Sequence, residues 1–156
     1  MHHLRRYHPR VSEVPWLSAE EQAVWRQWLE SHARLHTLLA RRLAAESGLS
    51  MPDYEVLVLL SEEPEGRLRM ASLAERLRWD RSRLSHHIRR MEVRGLVART
   101  DCPEDGRGSF VGVTPGGRTA IESAAPGHVR AVRELFLEPL GADGLESLAQ
   151  ALPKLT

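Results

Sequence analysis

Between Met70 and Gly95 the apolar positions of the chain recur at helical spacing in two short segments that meet at Arg78-Trp79-Asp80. In the second segment Leu84, Ile88 and Met91 stand at i, i+4 and i+7, so they form one stripe that must face a core. Arg81, Ser82, Arg83, Ser85, His86, Arg89 and Arg90 occupy the remaining positions, and most of them turn away from that stripe. Asp80 is placed to cap the helix start, where a carboxylate accepts orphan N–H groups at the positive end of the dipole. Gly95 ends it, with Leu96 able to touch Met91 in the Schellman manner.

The flanking segments are also mostly helical. Ser18-Ala19-Glu20-Glu21 is a capping box that opens a long helix carrying Trp25, Trp28, Leu29, His32, Leu35, His36, Leu39 and Leu43 at spacings of three and four. It fades at Ser47-Gly48. Ser50-Met51-Pro52-Asp53 starts the next helix, with a proline in the first turn where its missing N–H does no harm. After Gly95 the period becomes strand-like, and Val97 to Asp101 and Ser109 to Thr114 read as two short strands. A loop holding Pro103, Gly106, Arg107 and Gly108 joins them as a β-ribbon. Thr114-Pro115 caps another helix, Pro126-Gly127 breaks or kinks it, and a last helix starts near Asp143.

Charge sharpens this pattern. The whole chain of 156 residues carries a net charge of only +1, yet from Arg67 to Arg99 ten arginines face three acids. The rest of the chain is therefore acidic, which suits a polyanion-binding centre in a frame that does not itself adhere to nucleic acid. Cys102 is the one cysteine, so no intrachain disulfide can form and a reducing compartment fits. The longest apolar run, Val56 to Leu60, is far short of the roughly 20 residues that span a bilayer. The expected location is the cytoplasm.

Helix, helix, helix and β-ribbon in this order, between outer helices, predict a mainly α fold: a winged helix-turn-helix flanked by N- and C-terminal dimerisation helices. The expected division is 1–47, an arm and dimerisation helix; 48–115, the winged helix-turn-helix; and 116–156, further dimerisation helices. The outer helices lack a partner for their apolar stripes within one compact chain, and a second copy supplies it. A rod whose outer face holds cations and hydroxyls but no central carboxylate suits the edges of bases in a major groove. Arg81 or Arg83 has the reach to grip guanine bidentately, and Ser82, Ser85 and His86 donate to bases or phosphates. Arg89 and Arg90, nearer the helix end, suit backbone phosphates.

These segments resemble the MarR family of bacterial transcriptional regulators from about Trp16 to Leu152. The matching words are Ser72 to Leu77, Asp80 to His86, Met91 to Val97, Asp101 to Gly108 and Val113 to Arg118, in that order and spacing. The resemblance implies a homodimer on double-stranded DNA, a pseudo-palindromic operator, repression, and release by a small anionic or aromatic effector. It also implies that Arg107 is the wing arginine and Asp105 the carboxylate that orients it. Gly106 and Gly108 stand where relatives often carry a further basic residue, so fewer phosphate contacts are expected of this wing. Effectors in the family bind between the dimerisation helices and the DNA-binding lobe, which makes Trp25, Trp28, His32, His36 and Tyr54 the candidates here.

Other chemistries have weaker support. His32 and His36 have the spacing of two metal ligands on a helix, but no third ligand is evident, and neither metal nor cofactor is expected. No Gly-x-Ser-x-Gly elbow or Walker A sequence occurs, so an enzyme is not expected. Redox sensing through Cys102 and a winged-helix protein-interaction module remain as alternatives.

Overall fold

A computed structural model describes residues 15–101 and 108–155. The helices are α1 (Ala19–Ser47), α2 (Met51–Glu62), α3 (Met70–Leu77), α4 (Arg81–Val93), α5 (Pro115–Val132) and α6 (Glu138–Ala151). The strands are β1 (Arg67–Arg69), β2 (Val97–Asp101) and β3 (Ser109–Val113). The chain forms two compact units, one ending at Arg34 and one beginning at Leu35.

In the first unit the expected capping box opens α1. The Glu21 N–H donates to Ser18 Oγ at 3.1 Å, and the Ser18 N–H donates to Glu21 Oε2 at 2.7 Å. Trp16, Leu17, Val24, Trp25, Trp28 and Leu29 are all exposed, so the apolar stripe of this segment is uncovered in the single chain.

In the second unit the core forms around α4. Leu84, Ile88 and Met91 are fully buried together with Val56, Leu57, Leu60, Leu73 and Val111, contributed by α2, α3 and β3. Truncating a buried leucine such as Leu84 to alanine costs about 2–5 kcal/mol, so this cluster fixes which side of α4 points outward. A turn without glycine joins α3 to α4. Arg78 adopts the left-handed conformation at φ 55°, its N–H donating to the Glu75 carbonyl, and the Trp79 N–H reaches the Ala74 carbonyl. The far end of α4 closes as expected, with Gly95 at φ 70° and the Leu96 N–H donating to the Met91 carbonyl at 3.0 Å.

The sheet is antiparallel with the order β1-β3-β2. Its third strand corrects the two-stranded expectation: Leu68 pairs with Val111 while Arg99 pairs with Val111 from the other side. A three-residue Arg-Leu-Arg strand is too short to show an alternating period. After β3, Thr114 caps α5, and Gly117 packs so closely on Leu96 that a Cβ would lie 1.9 Å from its carbonyl oxygen.

Pro126 does not break α5. The helix runs on to Val132 and widens into a π turn at Arg133–Leu137. Gly127 sits where a Cβ would meet Glu46 Oε2, and Arg42 of α1 ion-pairs with Glu134 just beyond, so contacts with α1 hold the segment helical through the missing N–H. The final helix is non-helical at Gly141, and its regular part follows that residue, close to the expected start at Asp143. Among the described residues, no helix is long and apolar enough to cross a membrane.

A buried carboxylate ties α2 to α4. Asp53 is 2% exposed. It accepts from Arg94 Nη1 at 2.7 Å and from the Ser50 backbone N–H at 2.9 Å, and His87 Nε2 lies 3.1 Å from its other oxygen. Burial alone would raise its pKa, but contacts from His87, Arg94 and Ser50 outweigh burial and hold it well below the usual carboxylate range. A carboxyl held lower in the folded than in the unfolded chain stabilises the fold above about pH 4, and this contribution is lost as the pH falls through the folded value.

Two outcomes follow for stability. Asp53→Asn is expected to lower the neutral-pH stability and to flatten the acid limb of a urea-melt series across pH; an acid limb unchanged from the parent would refute the assignment. Arg78→Gly, which removes the Cβ from a left-handed position, is expected to raise stability by about 1 kcal/mol in the same melts.

Candidate nucleic-acid interface

Asp80 holds the N-terminus of α4, its Oδ1 accepting from the Arg83 N–H at 2.7 Å. From this cap the helix presents Arg81, Ser82, Arg83, His86, Arg89 and Arg90, all exposed. Among the described residues no carboxylate pairs with Arg81, Arg83, Arg89 or Arg90, so their charge is directed outward. Ser85 differs from the expectation in being half-buried: Arg99 of β2 donates to its carbonyl at 2.8 Å and to its Oγ at 3.3 Å. The Ser85 hydroxyl keeps a proton to donate, but its position is held by the sheet.

Arg99 also fastens the ribbon to the helix at a second point. Its backbone N–H donates to Glu92 Oε1 at 3.0 Å, and its Nε lies 3.4 Å from Glu92 Oε2. Arg67 and Arg69 of β1 stack over Phe110 of β3 at 5.0 and 5.2 Å. Between α4 and the base of the ribbon lies an open cleft of about 420 Å³, lined by Arg69, Arg81, Ser85, Arg99 and Ser109 among others. The result is a concave, cationic surface with hydroxyl groups, bounded by a helix on one side and a ribbon on the other. Asp105 and Arg107, expected at the ribbon tip, lie outside the described residues, as does Cys102.

Two side chains behind this face, Trp79 and His87, were not singled out by the helical pattern. The Arg83 guanidinium lies over the Trp79 ring at 4.3 Å, and Trp79 meets the His87 imidazole edge-on at 5.4 Å. The buried His87 is in turn 2.9 Å from Arg90 through its Nδ1. A histidine at position 87, among apolar neighbours one helical turn before Met91, was the available signal.

The candidates for a small-molecule site are only partly brought together. In the first unit, the Trp28 and His32 rings stand 5.8 Å apart and Trp25 is exposed. In the second, His36 is exposed, whereas Tyr54 stacks on His128 of α5 at 4.4 Å. Tyr54 and His128 line an open cleft of about 480 Å³ with Met51, Val58, Arg76 and Leu77. Burial pushes the Tyr54 phenol up and the His128 imidazole down from their ordinary values, so both stay neutral near pH 7. His128 Nδ1 is buried without a hydrogen-bond partner. No cluster of metal-ligating side chains occurs among the described residues.

Comparison with known proteins agrees with this architecture. A MarR family sequence profile matches residues 47–108. The chain is 32% identical over 107 residues to the transcriptional regulator HosA of Escherichia coli O111:H-, an alignment covering 69% of this chain and 77% of that protein. It is 28% identical over 102 residues to the HTH-type transcriptional regulator YdgJ of Bacillus subtilis, covering 65% of this chain and 61%, less than two thirds, of that relative. Among solved structures, the MarR family regulator Sco3205 of Streptomyces coelicolor, crystallised in complex with DNA, superposes with a TM-score of 0.86 at 41% identity, covering 91% of this chain and 89% of that one. These relatives are regulators rather than enzymes, in keeping with the missing catalytic motifs. On sequence and structure together, the chain belongs to the MarR family of transcriptional regulators.

Proposed function

We propose that the chain is a sequence-specific, double-stranded-DNA-binding transcriptional repressor that acts as a homodimer in the cytoplasm and is released from its operator by a small effector. The observation that carries this reading is the outward face of α4, where Arg81, Arg83, Arg89 and Arg90 are exposed on a capped helix and, among the described residues, lack carboxylate partners. Such a face attracts phosphates and has the geometry to enter a major groove. Arg81, Ser82, Arg83, Ser85 and His86 lie in the first two turns, where they meet base edges, while Arg89 and Arg90 follow at phosphate height. Arg107, oriented by Asp105, takes the wing's place at a narrow minor groove, where negative potential is enhanced.

Two exposed apolar sets support self-association. Trp25, Trp28 and Leu29 belong to the first unit, and Val129, Leu145 and Leu152 to the second. Large apolar side chains left in water in both terminal regions are covered most simply by a second copy, making 1–47 and 116–156 the assembling parts and 48–115 the DNA-binding part. Two copies then address half-sites about one helical turn apart on a pseudo-palindromic duplex.

For the effector, the cleft beside Tyr54 and His128 fits an aromatic or anionic molecule. It offers a ring pair, an unpartnered imidazole nitrogen and the Arg76 guanidinium at one rim. Arg76 already pairs with Glu63, so an acidic ligand would have to share it. Release requires that the ligand bind the DNA-incompetent arrangement better than the competent one.

Selection of bound duplexes from random DNA, followed by affinity measurement across salt, tests the reading. A log–log salt slope near zero would refute it in favour of a protein-docking module. On the selected duplex and its base-pair variants, Arg83→Ala is expected to relax preference at particular positions by about 1–3 kcal/mol. Arg90→Ala is expected to weaken all sequences alike and to lower the salt slope by about 1; identical profiles for the two variants would overturn the division of roles. Sedimentation of the purified chain is expected to show a dimer, with Trp28→Glu shifting it toward monomer while DNA affinity falls.

A further inference from the structure

His87 lies behind the recognition helix, 6% exposed, in the middle of a run of contacts that reaches from α2 to the outer face of α4. We propose that His87 is a positioning residue for DNA contact: its imidazole, accepting through Nδ1, aims Arg90. The inference rests on the DNA-binding reading above and adds to it a residue that touches no DNA.

The argument begins with donors and acceptors. A guanidinium nitrogen has only protons to offer, so at 2.9 Å from Arg90 Nη2 the His87 Nδ1 must present its lone pair. The imidazole proton therefore sits on Nε2, the nitrogen 3.1 Å from the Asp53 carboxylate. That contact is close but poorly aligned as a hydrogen bond, so it acts mainly as attraction between the N–H dipole and the carboxylate. The edge-on Trp79 ring, at an interplanar angle of 89°, keeps the imidazole plane from rotating, and Trp79 is also the floor on which Arg83 lies.

The groups that face His87 are few. Asp53 approaches from α2, with Arg94 and the Ser50 backbone and hydroxyl sharing its carboxylate. Trp79 approaches from the turn before α4, and Arg90 from α4 itself. Without an acceptor at Nδ1 the long Arg90 side chain regains rotamer freedom and does not arrive preorganised at a phosphate.

Two substitutions separate the two nitrogens. His87→Gln keeps a donor near the Nε2 position for Asp53 but puts no acceptor at Nδ1, whereas His87→Asn keeps an acceptor at the Nδ1 position and cannot titrate. Binding to a mixed-sequence DNA duplex long enough for two half-sites is followed across salt at about pH 8. Thermal melts confirm that each variant is folded.

His87→Gln is expected to lose about 0.9 from the salt slope and to bind several-fold more weakly, as Arg90→Ala does. Arg90→Ala should then add nothing further in the His87→Gln background, and His87→Asn should keep the slope of the parent.

Additive losses, or a salt slope of His87→Asn as low as that of His87→Gln, overturn the proposal. Nitrogen-15 spectra of the imidazole in the DNA-free parent are expected to show Nδ1 unprotonated at neutral pH; a proton found there overturns it as well. A parent with the assigned tautomer that binds no duplex instead refutes the DNA reading itself, and the two failures are thereby told apart.

Discussion

Burial of Leu84, Ile88 and Met91 is the constraint on which the rest of the second unit depends. Three side chains on one face of a thirteen-residue helix leave it a single orientation against α2, α3 and β3, and the opposite face is then exposed by default. Asp53 adds a polar clasp to this apolar seat. A carboxylate taken out of water is tolerated because Arg94, His87 and the α2 cap all meet it, and removing one partner would leave a buried charge uncompensated. The hydrophobic contacts thus set which side of α4 faces out, and the charged clasp sets where along α2 it sits.

The cationic face works by the same logic in reverse. Cations that found carboxylates within the chain would be neutralised before any polyanion arrived. Acidic groups near α4 are instead occupied elsewhere: Asp80 with the helix N-terminus, Glu92 with the β2 strand, and Asp53 with the helix interior. What remains outward is a set of arginines, two of them held by rings: Arg83 lies over Trp79, and Arg90 is hydrogen-bonded to the edge of His87 at Nδ1. Ring contacts restrict a guanidinium without cancelling its charge, which lowers the entropy lost when it meets a phosphate.

Much of this could be read from the residues in order, and the reasons for the rest are physical. Helix ends were legible because their signals are local: Ser18 with Glu21, Ser50 with Asp53, Asp80 and Gly95 all act within a few residues of themselves. The outward arginines were legible because a 3.6-residue period assigns faces. Strand β1 was not, since three residues carry no period and its pairing partner lies some forty positions away. Pro126-Gly127 was read as a break or kink, whereas α5 runs through it, with Gly127 packed against Glu46. The Asp53–Arg94 pair, the Arg99–Ser85 contact and the Tyr54–His128 stack join residues distant in sequence, and no spacing rule announces them. Tyr54 lines an open cleft, and its ring partner, His128, comes from α5.

Arg99 has a mechanical effect beyond its hydrogen bonds. By gripping the middle of α4 from the second strand, it makes helix and ribbon base behave like the two fixed jaws of a calliper. Their separation is set when the domain folds, not when it meets a partner. On the proposed DNA-binding reading a duplex is gauged by its pitch as well as by its bases, and any signal that loosens the grip must shift both jaws as one piece.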